Sequence, residues 1–345
     1  MTVQTMLLRM TIVLGLTALA LYGSAHADYA SREDVGQYMD ELVAQHDFDR
    51  QELEALFRRA QKKQSILDAI ARPAERSLKW YEYRRIFLQQ PRIEQGLEFW
   101  EKNASVLAAA EAQFGVAPEY VVAILGVETR YGRVTGSYRV VDALATLAFD
   151  YPPRAKFFRK ELTEYLLLAR EEGKNPLDLK GSYAGAMGYG QFIPSSYRAY
   201  AVDFDGDGLR DIWGNESDAI GSVANYFSRH GWQHNDEVVV QVEIAGDRLA
   251  ELANSSLNLE HTVGELQSLG LKLDPGQAGG VVDAAFADQK AALFAMELED
   301  STEYWLGLNN FYVITRYNRS RLYALAVHQL SQAIKARREQ LTALR

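Results

Sequence analysis

The stretch Ala123-Ile-Leu-Gly-Val-Glu-Thr-Arg-Tyr-Gly132 constrains this chain more than any other, because it is almost purely apolar and yet carries a glutamate in its middle. At helical spacing Val121, Ile124 and Leu125 share one face, and Glu128, four residues after Ile124, falls on that same face. Pro118 suits the first turn of such a helix and Gly132 suits its end. A carboxylate on a buried stripe is either paired with a cation, for which Arg130 and Arg133 are the nearby candidates, or held where its proton matters.

The 345 residues, 48% of them hydrophobic, are enough for a large core with more than one substructure. Residues 1–27 read as a signal peptide. Arg9 is their only charge, Met10 to Tyr22 is apolar, and Ala25-His26-Ala27 fits a cleavage site. The alternative is an uncleaved anchor, since residues 10–27 are uncharged. Cleavage removes one cation and no acid, so the formal charge of −9 becomes 36 minus 46, or −10. With a pI near 5.3, electrostatic binding of nucleic acid is not expected. The chain has no cysteine, which excludes disulfides, thiolate zinc sites, a cysteine nucleophile and lipid attachment through an N-terminal cysteine. A mature protein that is periplasmic, soluble and without a stable membrane anchor is the expectation.

The pattern is helical and charged from Ser31 to about Leu107, then helical with Gly-rich and Asp-rich loops to about Trp232. Val238–Ile244, Leu293–Leu298 and Phe311–Thr315 read as strands, and Leu322–Leu344 returns to helix. The fold class expected is α+β, mainly α, with a small sheet inserted late.

In Asp203-Phe-Asp-Gly-Asp-Gly-Leu-Arg-Asp211, oxygen ligands at alternate positions precede a glycine at the sixth, as in the first half of an EF-hand loop. Asp203, Asp205 and Asp207 offer carboxylates and Leu209 its carbonyl. The twelfth position is Gly214 where a bidentate Glu is usual, so Asp218, or else Glu216, must close the site. This reads as a structural calcium site, the alternative being a solvated Asp-Gly turn. In Gly181–Phe192 the order of glycines does not match a dinucleotide loop, and no GxxxxGK[ST], HExxH or GxSxG occurs anywhere. These glycines serve either close approach to a ligand, with Ser182, Tyr189 and Gln191 as polar contacts, or close packing between helices.

Taken together, GVETRYG (126–132), DALATLAFDYP (142–152), LKGSYAGAMGYGQFIPSSY (179–197), DAIGSVANYFSRHGW (218–232) and FYVITRYN (311–318) closely resemble the lytic murein transglycosylase B family. The resemblance implies a lysozyme-like catalytic core at 108–237. It also implies a helical domain at 28–107, completed by a C-terminal helix at 319–345, and a small antiparallel β domain at 238–318 that returns to the active-site groove. The activity implied is cleavage of the β-1,4 bond between N-acetylmuramic acid and N-acetylglucosamine in peptidoglycan glycan strands, giving 1,6-anhydromuramoyl ends without water. Glu128 matches the catalytic glutamate, kept protonated by desolvation on its apolar face.

By the same matching Ser182 and Gln191 line the cleft. Tyr83, Tyr226, Tyr317, Asn318 and Tyr323 line or support it, and Phe192 and Arg154 lie at sugar-binding sites. Asp203, Asp205, Asp207, Leu209 and Asp218 match the calcium loop. The competing expectations are a peptidoglycan-binding protein without turnover and a hydrolytic muramidase.

Overall fold

A computed structural model describes residues 29–71, 78–273 and 284–343. The signal-peptide reading of residues 1–27 lies outside the described residues, as does the end of the chain at 344–345.

The first half of the described chain is helical: α1 Glu33–His46, α2 Arg50–Arg59, α3 Gln64–Ile70, α4 Trp80–Phe87, α5 Gln90–Lys102, α6 Ala104–Phe114, α7 Pro118–Thr129, α8 Val140–Asp150 and α9 Ala155–Glu171. Two residue pairs, β1 Tyr138–Arg139 and β2 Lys180–Gly181, form an antiparallel ribbon that flanks the Gly-rich segment. Helices α10 Pro194–Tyr200 and α11 Glu216–Arg229 follow, separated by the Asp-rich loop.

Helix α7 is the axis of this half. Pro118 stands at its start, where a missing N–H costs nothing, and every residue from Pro118 to Gly126 is buried. The amphipathic stripe expected there is thus a helix buried all round, with α16 Arg321–Ala343, α5, α6 and α11 packed about it. At roughly 1.5–3 kcal/mol for each fully buried Val, Leu or Ile, its apolar run is a major stabilising element. Even its one buried acid near the start, Glu119, is matched by Lys335 of α16 at 2.9 Å. The helix ends earlier than Gly132. Tyr131 N–H closes onto the Leu125 carbonyl (3.0 Å) and Arg130 N–H onto that of Gly126 (3.2 Å), with Arg130 and Tyr131 at φ of 52° and 60°. This is a Schellman-type stop made with two non-glycine residues, a strained arrangement held by its surroundings.

The later insertion is an antiparallel sheet with strand order β4-β6-β7-β3-β5, where β3 is Val239–Ile244, β4 His261–Thr262, β5 Leu271–Leu273, β6 Lys290–Glu297 and β7 Thr302–Gly307. Register pairs Val240 and Leu293 with Leu306, so these side chains share one face. That face buries against α12 Asp247–Leu252, α13 Val263–Ser268 and α14 Ala284–Ala287 through Leu249, Val263, Leu266 and Phe286. The opposite face, with Val239, Phe294 and Met296, belongs to the main core, where Phe294 meets Phe311 at 5.1 Å.

Phe311 identifies one misreading. The run Phe311–Thr315, rich in aromatic and β-branched residues, is not a strand but part of α15, Asn309–Tyr317. Its composition favours a strand, yet one side of the helix, Phe311, Ile314 and Thr315, is buried and packing overrides the propensity. Strand β7, with Tyr304, Trp305 and Leu306, was not expected from the sequence; its glutamate and threonine masked the pattern.

Candidate active site

Helices α7, α15 and α16 meet at Glu128. It lies in the last turn of α7, half-buried, and Tyr323 in the first turns of α16 donates its hydroxyl to Glu128 Oε1 at 2.5 Å. The Tyr317 and Tyr323 phenols are pushed well above their usual range, by burial first and then by the negative charge of Glu128 beside them. Arg133, one of the two cations near Glu128 in sequence, is paired with Glu98 at 3.1 Å.

The end of α7 is fixed by residues the sequence did not single out. Buried Arg92 on α5 donates to the Gly126 carbonyl at 2.8 Å, and Thr129 Oγ1 donates to the Tyr189 carbonyl at 2.8 Å. The first contact stiffens the helix terminus, and the second ties it to the Gly-rich segment. The signal for Thr129 was its place beside Glu128; for Arg92 only its position next to the apolar Ile93 offered one.

In the Gly-rich segment the glycines pack against protein. A Cβ at Gly185 would meet Leu144 at 2.5 Å, and at Gly190 the Tyr317 hydroxyl at 2.8 Å. Close packing therefore accounts for these two positions. Ser182 Oγ accepts the N–H groups of Ala184 and Ala186 (3.2 and 3.0 Å), which leaves its proton to donate. Gln191, at φ 51°, donates its amide to the carbonyls of Gly188 (2.9 Å) and Thr135 (3.1 Å), which leaves its Oε1 as an acceptor. A left-handed glutamine here is stored strain of about 1–3 kcal/mol, the kind that collects at functional sites.

The aromatic residues form one wall. Phe192 contacts Tyr226 and Tyr317 at 5.7 and 5.9 Å, and those two tyrosines meet edge to face at 4.8 Å. Tyr226 also stacks on His230 at 4.0 Å. Tyr226 donates to the Arg316 carbonyl (2.6 Å) and Tyr317 to the Gly190 carbonyl (2.5 Å). Both hydroxyls thus hold backbone in place, whereas that of Tyr323 addresses the carboxylate directly. Tyr83 on α4 is buried, packs on Phe87 at 5.2 Å and adds to the environment that raises Tyr323. Asn318 ends α15 between Tyr317 and Tyr323 and is half-buried. Arg154 lies elsewhere in the chain's contacts: exposed, it covers Phe157 at 4.2 Å and Phe158 at 5.1 Å, neither part of this wall.

The Asp-rich loop brings carboxylate oxygens of Asp203, Asp205 and Asp218 within 4.8 Å of one another. Asp218, fully buried in the first turn of α11, accepts the N–H groups of Phe204 and Asp211 at 2.7 Å each. Its carboxyl is pushed up by burial and, despite those hydrogen bonds, also by Asp205 and Asp203. Three convergent carboxylates, one of them buried, fit the donor set of a hard cation. Asp207 accepts the Leu209 N–H at 2.8 Å and stands outside the three, and the Leu209 side chain is exposed. Glu216, the other candidate for closing the loop, is engaged by Lys102 and Asn103, each at 2.8 Å.

With this geometry established, the family profile described as the transglycosylase SLT domain matches residues 30–332. The chain belongs to that family. The SLT-domain chain is 43% identical over 322 residues to the membrane-bound lytic murein transglycosylase B of Escherichia coli K12, covering 91% of this chain and 86% of that one. It is 51% identical to the soluble lytic transglycosylase SltB1 of Pseudomonas aeruginosa, whose crystal structure superposes with a TM-score of 0.83 over 89% of this chain and 99% of that one. The Escherichia coli lytic transglycosylase Slt35, in complex with calcium, is 41% identical with a TM-score of 0.79, over 90% of this chain and 95% of that one. The fold is accordingly that of a transglycosylase, mainly helical with a small antiparallel sheet.

Proposed function

We propose that Glu128 is the single acid and base with which this lytic transglycosylase cleaves peptidoglycan, at the β-1,4 bond between N-acetylmuramic acid and N-acetylglucosamine. The observation that carries the reading is the hydrogen bond from Tyr323 to Glu128 Oε1, which fixes the orientation of the carboxyl group that must deliver the proton.

Glycoside cleavage ordinarily uses two carboxyl groups. Two phenols that feel the charge of Glu128, Tyr317 and Tyr323, have raised pKa values that keep them protonated and poor as nucleophiles. This favours attack by the substrate itself. Glu128 gives its proton to the leaving glycosidic oxygen while the N-acetyl carbonyl oxygen of muramic acid bonds to the anomeric carbon. The Glu128 carboxylate then takes the proton of the 6-hydroxyl. The 6-oxygen bonds to the anomeric carbon, and the bond to the N-acetyl oxygen breaks. Glu128 ends as it began, and the product is a 1,6-anhydromuramoyl end. Ser182, with its hydroxyl proton available, and Gln191, with its Oε1 available, supply polar contacts to the sugar.

The same reading gives the Asp-rich loop a structural calcium ion held by Asp203, Asp205 and Asp218, which supplies rigidity and no chemistry. The loop leads directly into α11, which carries Tyr226, so ordering it steadies the aromatic wall. The enzyme is exported to the periplasm, where its substrate lies. Among the described residues no helix is long and apolar enough to cross a membrane.

The test is Glu128→Gln, which keeps size and removes the proton. Activity should fall about 10²–10⁴-fold or more with the fold intact. Digests of wild-type enzyme should contain muropeptides lighter by one water than hydrolytic products, and murein de-N-acetylated at muramic acid should resist cleavage. Hydrolytic products would make the chain a muramidase. Wild-type turnover by Glu128→Gln would remove Glu128 from the chemistry.

A further inference from the structure

Where the loop after α12 meets β6 and the start of α16, a polar cavity of about 250 Å³ is lined by Asn254, Ser255, Ser256, Phe294, Arg319 and Arg321. The loop is latched in place. Asn254, at φ 67°, donates its side-chain amide to the Ala295 carbonyl and accepts the Ala295 N–H, both at 3.1 Å. Across from it, Arg321 Nε is buried and has no hydrogen-bond partner among the described residues. A buried polar group left unsatisfied costs about 1–3 kcal/mol, more when charged, so an acceptor is called for. Burial already pushes the Arg321 guanidinium down, and Glu297, the acid acting on it, is ion-paired with Lys79 at 3.0 Å. Ser320 caps α16, its Oγ accepting the Tyr323 N–H at 3.3 Å, and the positive end of that helix dipole adds to the two arginines. In a chain of net charge −9, this local concentration of donors selects an anion.

We propose that this cavity binds a carboxylate, and that during turnover the carboxylate belongs to the peptide stem of the glycan strand being cut. This rests on the transglycosylase reading above. A guanidinium presents its N–H groups in a fork that matches a carboxylate. Arg321 precedes Tyr323 by two positions, about 200° round a helix of 3.6 residues per turn, so it faces away from the sugar at Glu128. What reaches it is an appendage. An extended peptide spans about 3.3–3.6 Å per residue, so a stem of several residues carries its carboxylate round the first turn of α16.

The experiment compares Arg321→Gln and Arg319→Gln with wild type on intact murein and on the same murein stripped of its stems by an amidase. Each variant should lose about tenfold or more in kcat/KM on intact murein, the loss expected for one charge-assisted hydrogen bond, and cut stripped strands as wild type does. Equal loss on both substrates, or no loss on intact murein, would overturn the proposal. In calorimetric titrations of the full chain, free stem pentapeptide should bind wild type and not Arg321→Gln. Acetate and inorganic phosphate should bind at least tenfold more weakly than the peptide. Binding of either as tightly as the peptide would mark a general anion site and overturn the stem assignment. The titration needs no bond cleavage, so it decides the cavity even if wild type cut neither murein, a result that would sink only the transglycosylase reading.

Discussion

Tyr323 and Glu128, 195 residues apart in the chain, are joined by a 2.5 Å hydrogen bond from the phenol to Oε1 of the carboxyl group. On the proposed role of Glu128, this contact makes α16 part of the catalytic apparatus as well as part of the helical core.

Tyr323→Phe should therefore fold and bind substrate yet turn over slowly. The lost bond is to a group that becomes ionised during the reaction, a class of hydrogen bond worth about 1.5–3 kcal/mol, so kcat should fall by roughly tenfold or more. KM should stay close to wild type. A kcat within twofold of wild type would mean that Oε1 needs no fixing.

Gly190→Ala places a methyl group 2.8 Å from the Tyr317 hydroxyl and 3.2 Å from Val223. Overpacking of this kind costs about 1–3 kcal/mol, and the displaced tyrosine should lower activity as well. Tyr317→Phe in the same chain removes the oxygen in the way, so the double variant should melt less far below wild type than the sum of the two single changes. Additive losses would show that Tyr317 is not what the glycine accommodates.

Calcium should raise the melting temperature, and a chelator should lower it. An ion that binds only the folded chain adds about 2.7 kcal/mol at a hundredfold excess over Kd. Asp203→Ala should abolish the calcium dependence while leaving some activity at low temperature. Superimposable melting curves with calcium and with chelator would reduce the loop to a solvated turn. The absence of a bidentate glutamate at position 214 should make affinity weaker than that of a regular EF-hand.

Acid should weaken the packing of α16 through His328. Burial holds its imidazole down to about 4, against 6.5 for a free side chain, with Nδ1 at 3.0 Å from the Tyr120 hydroxyl. The folded state thus prefers the neutral ring. Its contribution is complete above pH 6.5 and is lost as the pH falls towards 4, to the extent of on the order of 3 kcal/mol. His328→Gln should flatten the fall in melting temperature over that interval. An unchanged slope would place the acid sensitivity elsewhere.

The helix that carries Glu128 was readable because an apolar stretch at helical spacing has few structural outcomes and a glutamate inside it demands a reason. Strands β3 and β6 were readable from their valines and from Leu293, Phe294 and Met296. Helix α15 was not, because Phe311–Thr315 has the composition of a strand and only its packing against β6 decides otherwise. The tyrosines could be collected by resemblance, but not sorted. Nothing in the sequence distinguishes Tyr317, which holds the Gly190 carbonyl, from Tyr323, which holds Glu128. Arg92 and Thr129 act through backbone carbonyls, partners that leave no mark in the sequence.

If Glu128 is the catalytic acid, the place of α16 sets when its carboxyl group becomes competent. Helix α7 and its glutamate come early in the chain, but the tyrosine that holds the carboxyl group comes in α16, which also covers α7. A chain interrupted anywhere before Arg321 lacks both the cover and the aim. On the proposed reading, cutting power thus waits on the docking of α16 against α7 and not on the folding of α7 alone.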